Sequence, residues 1–155
     1  MGILTPDQRT FLGAARTATL ATIDAQGRPR LVPICFAMRS EASGEDPVLY
    51  TPLDEKPKRG SDVRGLARVR DILAIPEVAL LIDHWDEDWL QLAWLRLSGT
   101  AELLEPDGPD IVAHAEAVGL LRARYPQYAM HALESLPIIR VRVDRALGWE
   151  ATPRS

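Results

Sequence analysis

The longest stretch of alternating side chains in this sequence, residues 92–104, constrains the fold most strongly. Trp94 and Arg96 alternate along it with Leu95 and Leu97. Successive side chains of a β-strand point to opposite faces, so the pattern predicts a long strand with one apolar face and one face that carries the tryptophan. A lone barrel would leave much of that second face exposed, and we therefore expect a two-fold dimer that covers it.

Five further segments have the composition of strands. They are rich in small, β-branched and aliphatic residues, and they cover residues 17–23, 30–38, 48–51, 78–82 and 138–143. Turn-forming residues 24–27 connect the first two segments as a hairpin. Six strands, mostly joined as hairpins, together with a few helices predict a mainly β (α+β) fold. We expect a six-stranded antiparallel barrel with short flanking helices, in a single domain over residues 1–155.

Three helices are expected between these strands. Thr5 can cap the first, Ser61 or Asp62 can cap a second that runs to about Leu73, and residues 107–124 form the third. The apolar residues of the second helix predict its buried side, which consists of Leu66, Val69, Ile72 and Leu73.

The segment between the third and fourth strands is unusually basic. It contains both lysines of the chain and four arginines, namely Lys56, Lys58, Arg59, Arg64, Arg68 and Arg70. This concentration favours an anionic ligand, most economically a cofactor phosphate. The alternative is a solvated helix whose cations pair with neighbouring carboxylates, and the residues alone leave both interpretations open. Arg64 and Arg68 lie one turn apart opposite the apolar side, so we expect both at the surface.

Charge and composition exclude several classes of function. The net charge is −4, from 18 basic and 22 acidic residues, so the chain has no general attraction to nucleic acid. Cys35 is the single cysteine, which excludes an internal disulfide and a cysteine zinc cluster, and its apolar neighbours predict a buried, unreactive thiol. The three histidines are widely spaced, so no metal site is expected. The sequence shows no signal peptide or membrane span, and we expect a cytoplasmic protein.

Small residues on the first hairpin could line a flat ligand. Thr19, Ala21 and Thr22 would let the backbone approach a ring closely, and Pro33 would expose a carbonyl without a competing amide. Ordinary strand packing also uses small and β-branched residues, so this pattern alone favours neither interpretation.

The ordered set of these segments resembles the pyridoxamine-phosphate-oxidase-like split β-barrel family over nearly the whole chain. The segments that carry the resemblance are 19–24 (TLATID), 27–33 (GRPRLVP), 49–51 (LYT), 68–72 (RVRDI), 75–83 (IPEVALLID) and 96–103 (RLSGTAEL). The family's helix often reads Lys-x-Arg-Asn-Leu, whereas this chain has Asp71 at the asparagine position. The resemblance implies a split barrel and a site for a planar cofactor.

Residues 54–59 (DEKPKR) and 86–89 (DEDW) further resemble the actinobacterial branch of that family proposed to use the deazaflavin coenzyme F420. The other large branch uses FMN. The resemblance implies a homodimer with cofactor sites at the subunit interface and hydride transfer between reduced cofactor and a small organic acceptor. We rank F420 above FMN because the basic segment exceeds what one phosphate needs.

The resemblance implies a role for each of these candidate residues. We expect no catalytic side chain, because hydride transfer needs no protein nucleophile. Trp94 is expected against the cofactor of the partner subunit, with interface packing as the alternative. The complete set of expected cofactor contacts is Thr19, Ala21, Thr22, Pro33, Lys56, Lys58, Arg59, Arg68, Arg70 and Trp94. A non-catalytic binding protein for F420 or another planar cofactor, such as a tetrapyrrole, is the alternative function.

Overall fold

A single curled antiparallel sheet organises the structure, a computed structural model that describes residues 2–39, 45–53 and 62–152. The strands are β1 (Ala18–Ile23), β2 (Pro29–Ile34), β3 (Ala37–Met38), β4 (Val48–Pro52), β5 (Glu77–His84), β6 (Ala93–Leu104) and β7 (Ile138–Glu150). Their order across the sheet is β2-β1-β5-β6-β7-β4-β3. The curled sheet forms a half-barrel, which confirms the mainly β architecture, but it has seven strands where six were expected.

The additional strand arises because the expected return strand, residues 30–38, is interrupted. β2 ends at Ile34, and β3 pairs with β4 at the opposite edge of the sheet. Between them, Phe36 is 1% exposed and forms its backbone hydrogen bonds outside the ladder. Its N–H donates to the Tyr125 hydroxyl oxygen at 3.1 Å, and its carbonyl accepts from that hydroxyl at 2.9 Å. A buried side-chain partner therefore lets the chain leave one edge and join the other.

The final strand is longer than expected. It was predicted over residues 138–143, and β7 continues to Glu150, pairing with β6 along its whole length. The register shifts between Ser98 and Gly99, where the strands approach closely. A Cβ added at Gly99 would lie 2.0 Å from the Arg142 carbonyl oxygen, so only glycine fits there. The alternating burial expected for residues 92–104 is confirmed, with Leu95 and Leu97 buried.

Three helices flank the sheet: α1 (Pro6–Ala14), α2 (Ala67–Ala74) and α3 (Ile111–Arg124). The Thr5 side chain accepts from the Gln8 N–H at 3.1 Å and completes a capping box for α1. The prediction that one helix spans the region from Ser61 or Asp62 to Leu73 was wrong. Asp62 caps a 3₁₀ turn, Val63–Gly65, and α2 begins only after it.

This break also changes which side chains of α2 are buried. Val69 and Ile72 face the core as expected, but Leu73 is 64% exposed. Arg68, expected at the surface, is only 6% exposed. Because the 3₁₀ turn separates Arg64 from α2, the two arginines no longer share one helix face. Arg68 therefore lies on the inner side of the first turn of α2.

The inner face of the sheet carries the main core. Leu20, Leu80, Leu97 and Val141 from four strands pack there with Val69 of α2. A second cluster, with Tyr50 and Leu121 among its members, packs α3 against β4 and β7. These two clusters set the end of β2, the end of β4 and the start of α2 side by side. No helix within residues 2–39, 45–53 and 62–152 is long and apolar enough to cross a membrane.

Candidate functional site

A cavity of about 260 Å³ lies where the ends of β2 and β4 meet the start of α2. We call it the anion cavity. Its lining residues are Thr17, Pro33, Ile34, Cys35, Thr51, Pro52, Arg68 and Tyr128. Usual sites for small ligands measure roughly 300–1,000 Å³, so one chain alone offers room for only part of a cofactor.

Two buried polar side chains give the anion cavity its chemistry. Arg68 places a permanently charged guanidinium in its wall and is 6% exposed. Thr51 is 2% exposed, and its Oγ1 has no hydrogen-bond partner among the described residues. A buried hydroxyl without a partner costs free energy, and an anion in the cavity would supply the missing acceptor. A residue with a permanent positive charge and a residue with a hydroxyl line one small cavity, and this pair of residue types suits phosphate.

Asp71, which stands where the resembling family's helix usually has asparagine, lies in a partly buried polar cluster. Its carboxylate is buried and accepts from the Thr22 hydroxyl at 2.7 Å and from the Arg30 Nε at 2.9 Å. The cluster links α2 to both strands of the first hairpin. Because Arg30 balances its charge and Thr22 takes a further lone pair, Asp71 is compatible with a phosphate near Arg68.

The other basic residues of the segment divide into three groups. Arg64 is engaged away from the anion cavity, where it donates from Nε to Glu105 at 2.9 Å and from Nη1 to Asp62 at 3.0 Å. Its guanidinium lowers the pKa of the Glu105 carboxyl, chiefly by hydrogen bonding to that carboxylate. Arg70 is exposed and does not line the anion cavity. The remaining expected contacts, Lys56, Lys58 and Arg59, lie outside the described residues.

The small residues of the first hairpin divide between the two faces of the sheet. Thr22 points inward and is held by Asp71. Thr19 and Ala21 are half-buried on the outer face, where Thr19 pairs with Pro33 in the antiparallel register. Pro33 lines the anion cavity, so Thr19 adjoins its rim through that pair.

Trp94 lies on the outer face of β6, beside Trp149 of β7 in the register. It is half-buried and lines a cavity of about 210 Å³, not the anion cavity. The outer face also exposes large apolar side chains on neighbouring strands, with Leu31 at 69%, Leu81 at 40% and Leu147 at 52%. Within a single chain, Trp94 and the anion cavity are separate features.

A larger cavity of about 480 Å³ lies between α1 and the β5–β6 turn, and we call it the acidic cavity. Asp7, Asp83 and Glu150 line it together with Phe11 and Leu90. None of the three carboxylates has an ion pair within the described ranges. The charge of this cavity opposes the binding of a phosphate.

The histidines provide no metal centre. His114 is 3% exposed, and its Nε2 lies 2.6 Å from the Leu136 carbonyl oxygen, which ties α3 to the start of β7. Across residues 2–39, 45–53 and 62–152, no group of three or more His, Cys, Asp or Glu side chains could hold a metal ion.

Sequence reasoning named Arg68 and Pro33 but missed other members of the anion cavity. Thr51 is the most consequential omission, since it was treated only as the end of a strand. The available signal was its position, because a hydroxyl at the end of a buried strand that precedes a basic segment needs a partner there. Cys35 was expected to be buried, whereas it is half-buried at the cavity wall.

Comparison with known proteins places these features in a family context. Residues 4–150 match the family model described as pyridoxamine 5'-phosphate oxidase. No match was found among curated proteins. A conserved hypothetical protein of Mycobacterium tuberculosis, Rv2991, has a similar structure, with a TM-score of 0.69 and 19% identity over 99% of this chain and 91% of that one.

Two further similar structures are described as haem proteins. HutZ, the haem storage protein of Vibrio cholerae, has a TM-score of 0.64 and 17% identity over 97% of this chain and 95% of that one. A haem-binding protein of Mycobacterium smegmatis has a TM-score of 0.60 and 19% identity over 92% of this chain and 56% of that one. At these identities, the likeness shows a shared fold.

Proposed function

The chain belongs to the pyridoxamine 5'-phosphate oxidase family, and we propose that it is an oxidoreductase whose anion cavity holds the phosphate of a flavin-type cofactor. In this proposal, the cofactor is coenzyme F420, and a hydride passes between its reduced form and a small organic acceptor.

One observation carries the proposal: the unpartnered Thr51 hydroxyl shares a small cavity with the buried Arg68 guanidinium. The Thr51 hydroxyl lacks an acceptor among the described residues, and a phosphate oxygen would accept from it and from the Arg68 guanidinium. Charge-assisted hydrogen bonds of this kind are about twice as strong as neutral ones. The anion cavity thus supplies an anchor from which the rest of a cofactor can be oriented.

The residues around the anchor would bind and orient the cofactor. Arg68 and Thr51 would hold the phosphate, while Pro33, which also lines the cavity and has no N–H, would offer its backbone carbonyl. Thr19 beside it keeps the outer surface of the hairpin small enough for a ring to approach. The cofactor itself supplies the hydride chemistry, so the protein contributes binding, orientation and exclusion of water.

The choice of F420 over FMN rests on the length of the basic segment. F420 carries a longer anionic tail than FMN, and Lys56, Lys58, Arg59 and Arg70 would extend the positive charge beyond Arg68. Arg64 does not contribute to this surplus, because Glu105 and Asp62 already engage it. The preference for F420 therefore depends on four cations in addition to Arg68.

A two-fold dimer is part of the same proposal. Leu81 and Leu147 flank Arg96 in one row across β5, β6 and β7, and both leucines are exposed. A second copy on this face would cover them, and would bring Trp94 towards the partner's cofactor. Light scattering should show a dimer at micromolar concentration, and Leu81→Arg should shift it towards monomer. A stable monomer of the unaltered protein would contradict this part of the proposal.

Equilibrium titration with F420 and FMN, followed by fluorescence, tests the cofactor assignment. We expect tighter binding of F420 than of FMN, and weaker binding of both cofactors in Arg68→Ala. Tighter FMN binding, or a yellow protein as isolated, would reverse the ranking. Binding of neither cofactor would remove the proposed function.

A non-catalytic binding protein is the second candidate. The similar structures described as haem proteins favour it, because they show that this fold also serves haem storage and binding. Haem titration followed by visible absorption distinguishes the two candidates. A stoichiometric haem spectrum without hydride transfer to any acceptor would favour the binding role. Turnover with reduced F420 or FMN would favour the enzyme.

A further inference from the structure

The only thiol of the chain, Cys35, lies in the wall of the anion cavity. It stands between the end of β2 and the start of β3 and is half-buried. Arg68 and Thr51 line the same cavity. A partly accessible thiol and a buried cation therefore share one small volume.

The backbone around Cys35 is firmly held. Its neighbours Ile34 and Phe36 are 7% and 1% exposed. The Phe36 N–H donates to the Tyr125 hydroxyl oxygen, and the Arg124 guanidinium lies 5.2 Å from the centre of the Phe36 ring. These contacts therefore keep the backbone at Cys35 beside the cavity.

The residues that line the anion cavity also favour a polar ligand. Thr51 is 2% exposed, and its hydroxyl has no hydrogen-bond partner in the described part of the chain. Together with Arg68, it favours ligands that carry negative charge. A small disulfide with anionic groups would meet that preference and would bring its sulfur atoms to the thiol.

We propose that Cys35 is a modification site, at which a small anionic disulfide forms a mixed disulfide that closes the anion cavity to phosphate. The Cys35 thiolate sulfur attacks one sulfur of the disulfide, whose S–S bond breaks as the new one forms. The other half leaves as a thiolate, which takes up the bonding electron pair, and the proton of the Cys35 thiol passes to solvent. The functional consequence rests on the proposed function, because that cavity is the proposed cofactor anchor.

The anion cavity is too small to hold the adduct and the phosphate ligand at the same time. The anion cavity measures about 260 Å³, which is below the roughly 300–1,000 Å³ of ordinary ligand sites. An aromatic or peptide-sized adduct on Cys35 would occupy most of it. The modification would therefore act as a reversible block, removed by a reducing thiol.

The first experiment measures the reaction of the folded protein with the anionic reagent dithiobis(nitrobenzoate), by the release of thionitrobenzoate. Inorganic phosphate should slow the release, and Cys35→Ser and Cys35→Ala should abolish it. Arg68→Ala should slow this reagent on the order of tenfold, and should slow neutral dithiodipyridine much less. Arg28→Ala is the matched control, since Arg28 lies in the β1–β2 turn and does not line the cavity.

The second experiment compares phosphate binding by the free and modified protein in calorimetry. The adduct should abolish binding, and dithiothreitol should restore it. A thiol that reacts only after denaturation, an adduct that leaves phosphate affinity unchanged, or phosphate that gives no protection would each overturn the inference. If phosphate is blocked but neither F420 nor FMN binds the free protein, the modification site stands and the proposed function fails.

Discussion

The anion cavity and the acidic cavity differ in size and in charge, and the charge separates them functionally. The acidic cavity is larger, at about 480 Å³ against about 260 Å³. Asp7, Asp83 and Glu150 line it, whereas Arg68 and Thr51 line the smaller one. Volume alone would select the wrong cavity for a phosphate-bearing ligand. A buried cation beside a hydroxyl that lacks a partner among the described residues is the more informative feature.

The two cavities also differ in whether their charged side chains are buried or exposed. Arg68 lies three residues before Asp71 on α2, and Asp71 is fixed by Thr22 and Arg30. The carboxylates of the acidic cavity are exposed, and water screens them. Arg68 is itself buried, and a buried charge can orient a ligand, whereas an exposed one mainly contributes to solubility.

The largest expected effect follows from removing the charge of the anion cavity. Arg68→Ala should weaken binding of F420 and FMN about 10- to 100-fold, since a hydrogen bond to a charged group contributes roughly 1.5–3 kcal/mol. The rise in thermal midpoint caused by a given cofactor concentration should become smaller. Fluorescence titration and thermal melting on one sample measure both quantities.

Two companion variants sharpen this result. Arg28→Ala removes an exposed arginine of the β1–β2 turn and should leave affinity unchanged. Arg70→Ala tests whether the charge preference extends along the basic segment, in which case F420 should lose more affinity than FMN. Unchanged affinity for both cofactors in Arg68→Ala would contradict the assignment of the anchor.

The next effect concerns the network behind the anion cavity. Asp71→Ala leaves the Thr22 hydroxyl and the Arg30 guanidinium without their acceptor, and Thr22 is 1% exposed. We expect the free energy of unfolding to fall by about 1–3 kcal/mol, the cost of an unsatisfied buried group. Urea denaturation measures it. Asp71→Asn, which retains an acceptor oxygen, should lose less, and equal losses would show that the hydrogen bonds are not the cause.

The contrast between Arg68 and Thr51 shows what the sequence could predict. Arg68 belonged to a conspicuous segment of six cations, and the family resemblance supported its role. Its burial could not be predicted, because it depends on a 3₁₀ turn at Val63–Gly65 that restarts the helix at Ala67. Thr51 has an ordinary strand-end sequence, and only the packing of β4 against α2 and β2 shows that its hydroxyl lacks a partner.

The fold also contains some elements that the sequence could predict and others that it could not. Alternation along residues 92–104 predicted β6 well, because period-two patterns depend on one strand and its core face. The interruption after Ile34 could not be predicted, because it depends on the Tyr125 hydroxyl, far away in sequence. The extension of β7 to Glu150 likewise depends on pairing with β6, which requires glycine at position 99.

Thr51→Val should have a smaller effect, and it should change stability and cofactor affinity in opposite directions. Valine keeps the shape and removes the hydroxyl, so the free protein should be as stable as before or slightly more stable. Affinity for a phosphate-bearing cofactor should fall by about 0.5–1.5 kcal/mol, the usual net contribution of one hydrogen bond. Thermal melting with and without cofactor measures both changes. A loss of stability without cofactor would indicate a structural role for the hydroxyl.

The smallest effect should come from neutralising the acidic cavity. Asp83→Asn combined with Glu150→Gln removes two negative charges, and the two cavities share no lining residue. At physiological ionic strength, exposed charges are screened over about 8 Å. We therefore expect cofactor affinity to change by less than about twofold, and only slightly more at low salt. Fluorescence titration at both salt concentrations measures this. A tenfold change would mean that the ligand contacts the acidic cavity, and the distinction between the two cavities would fail.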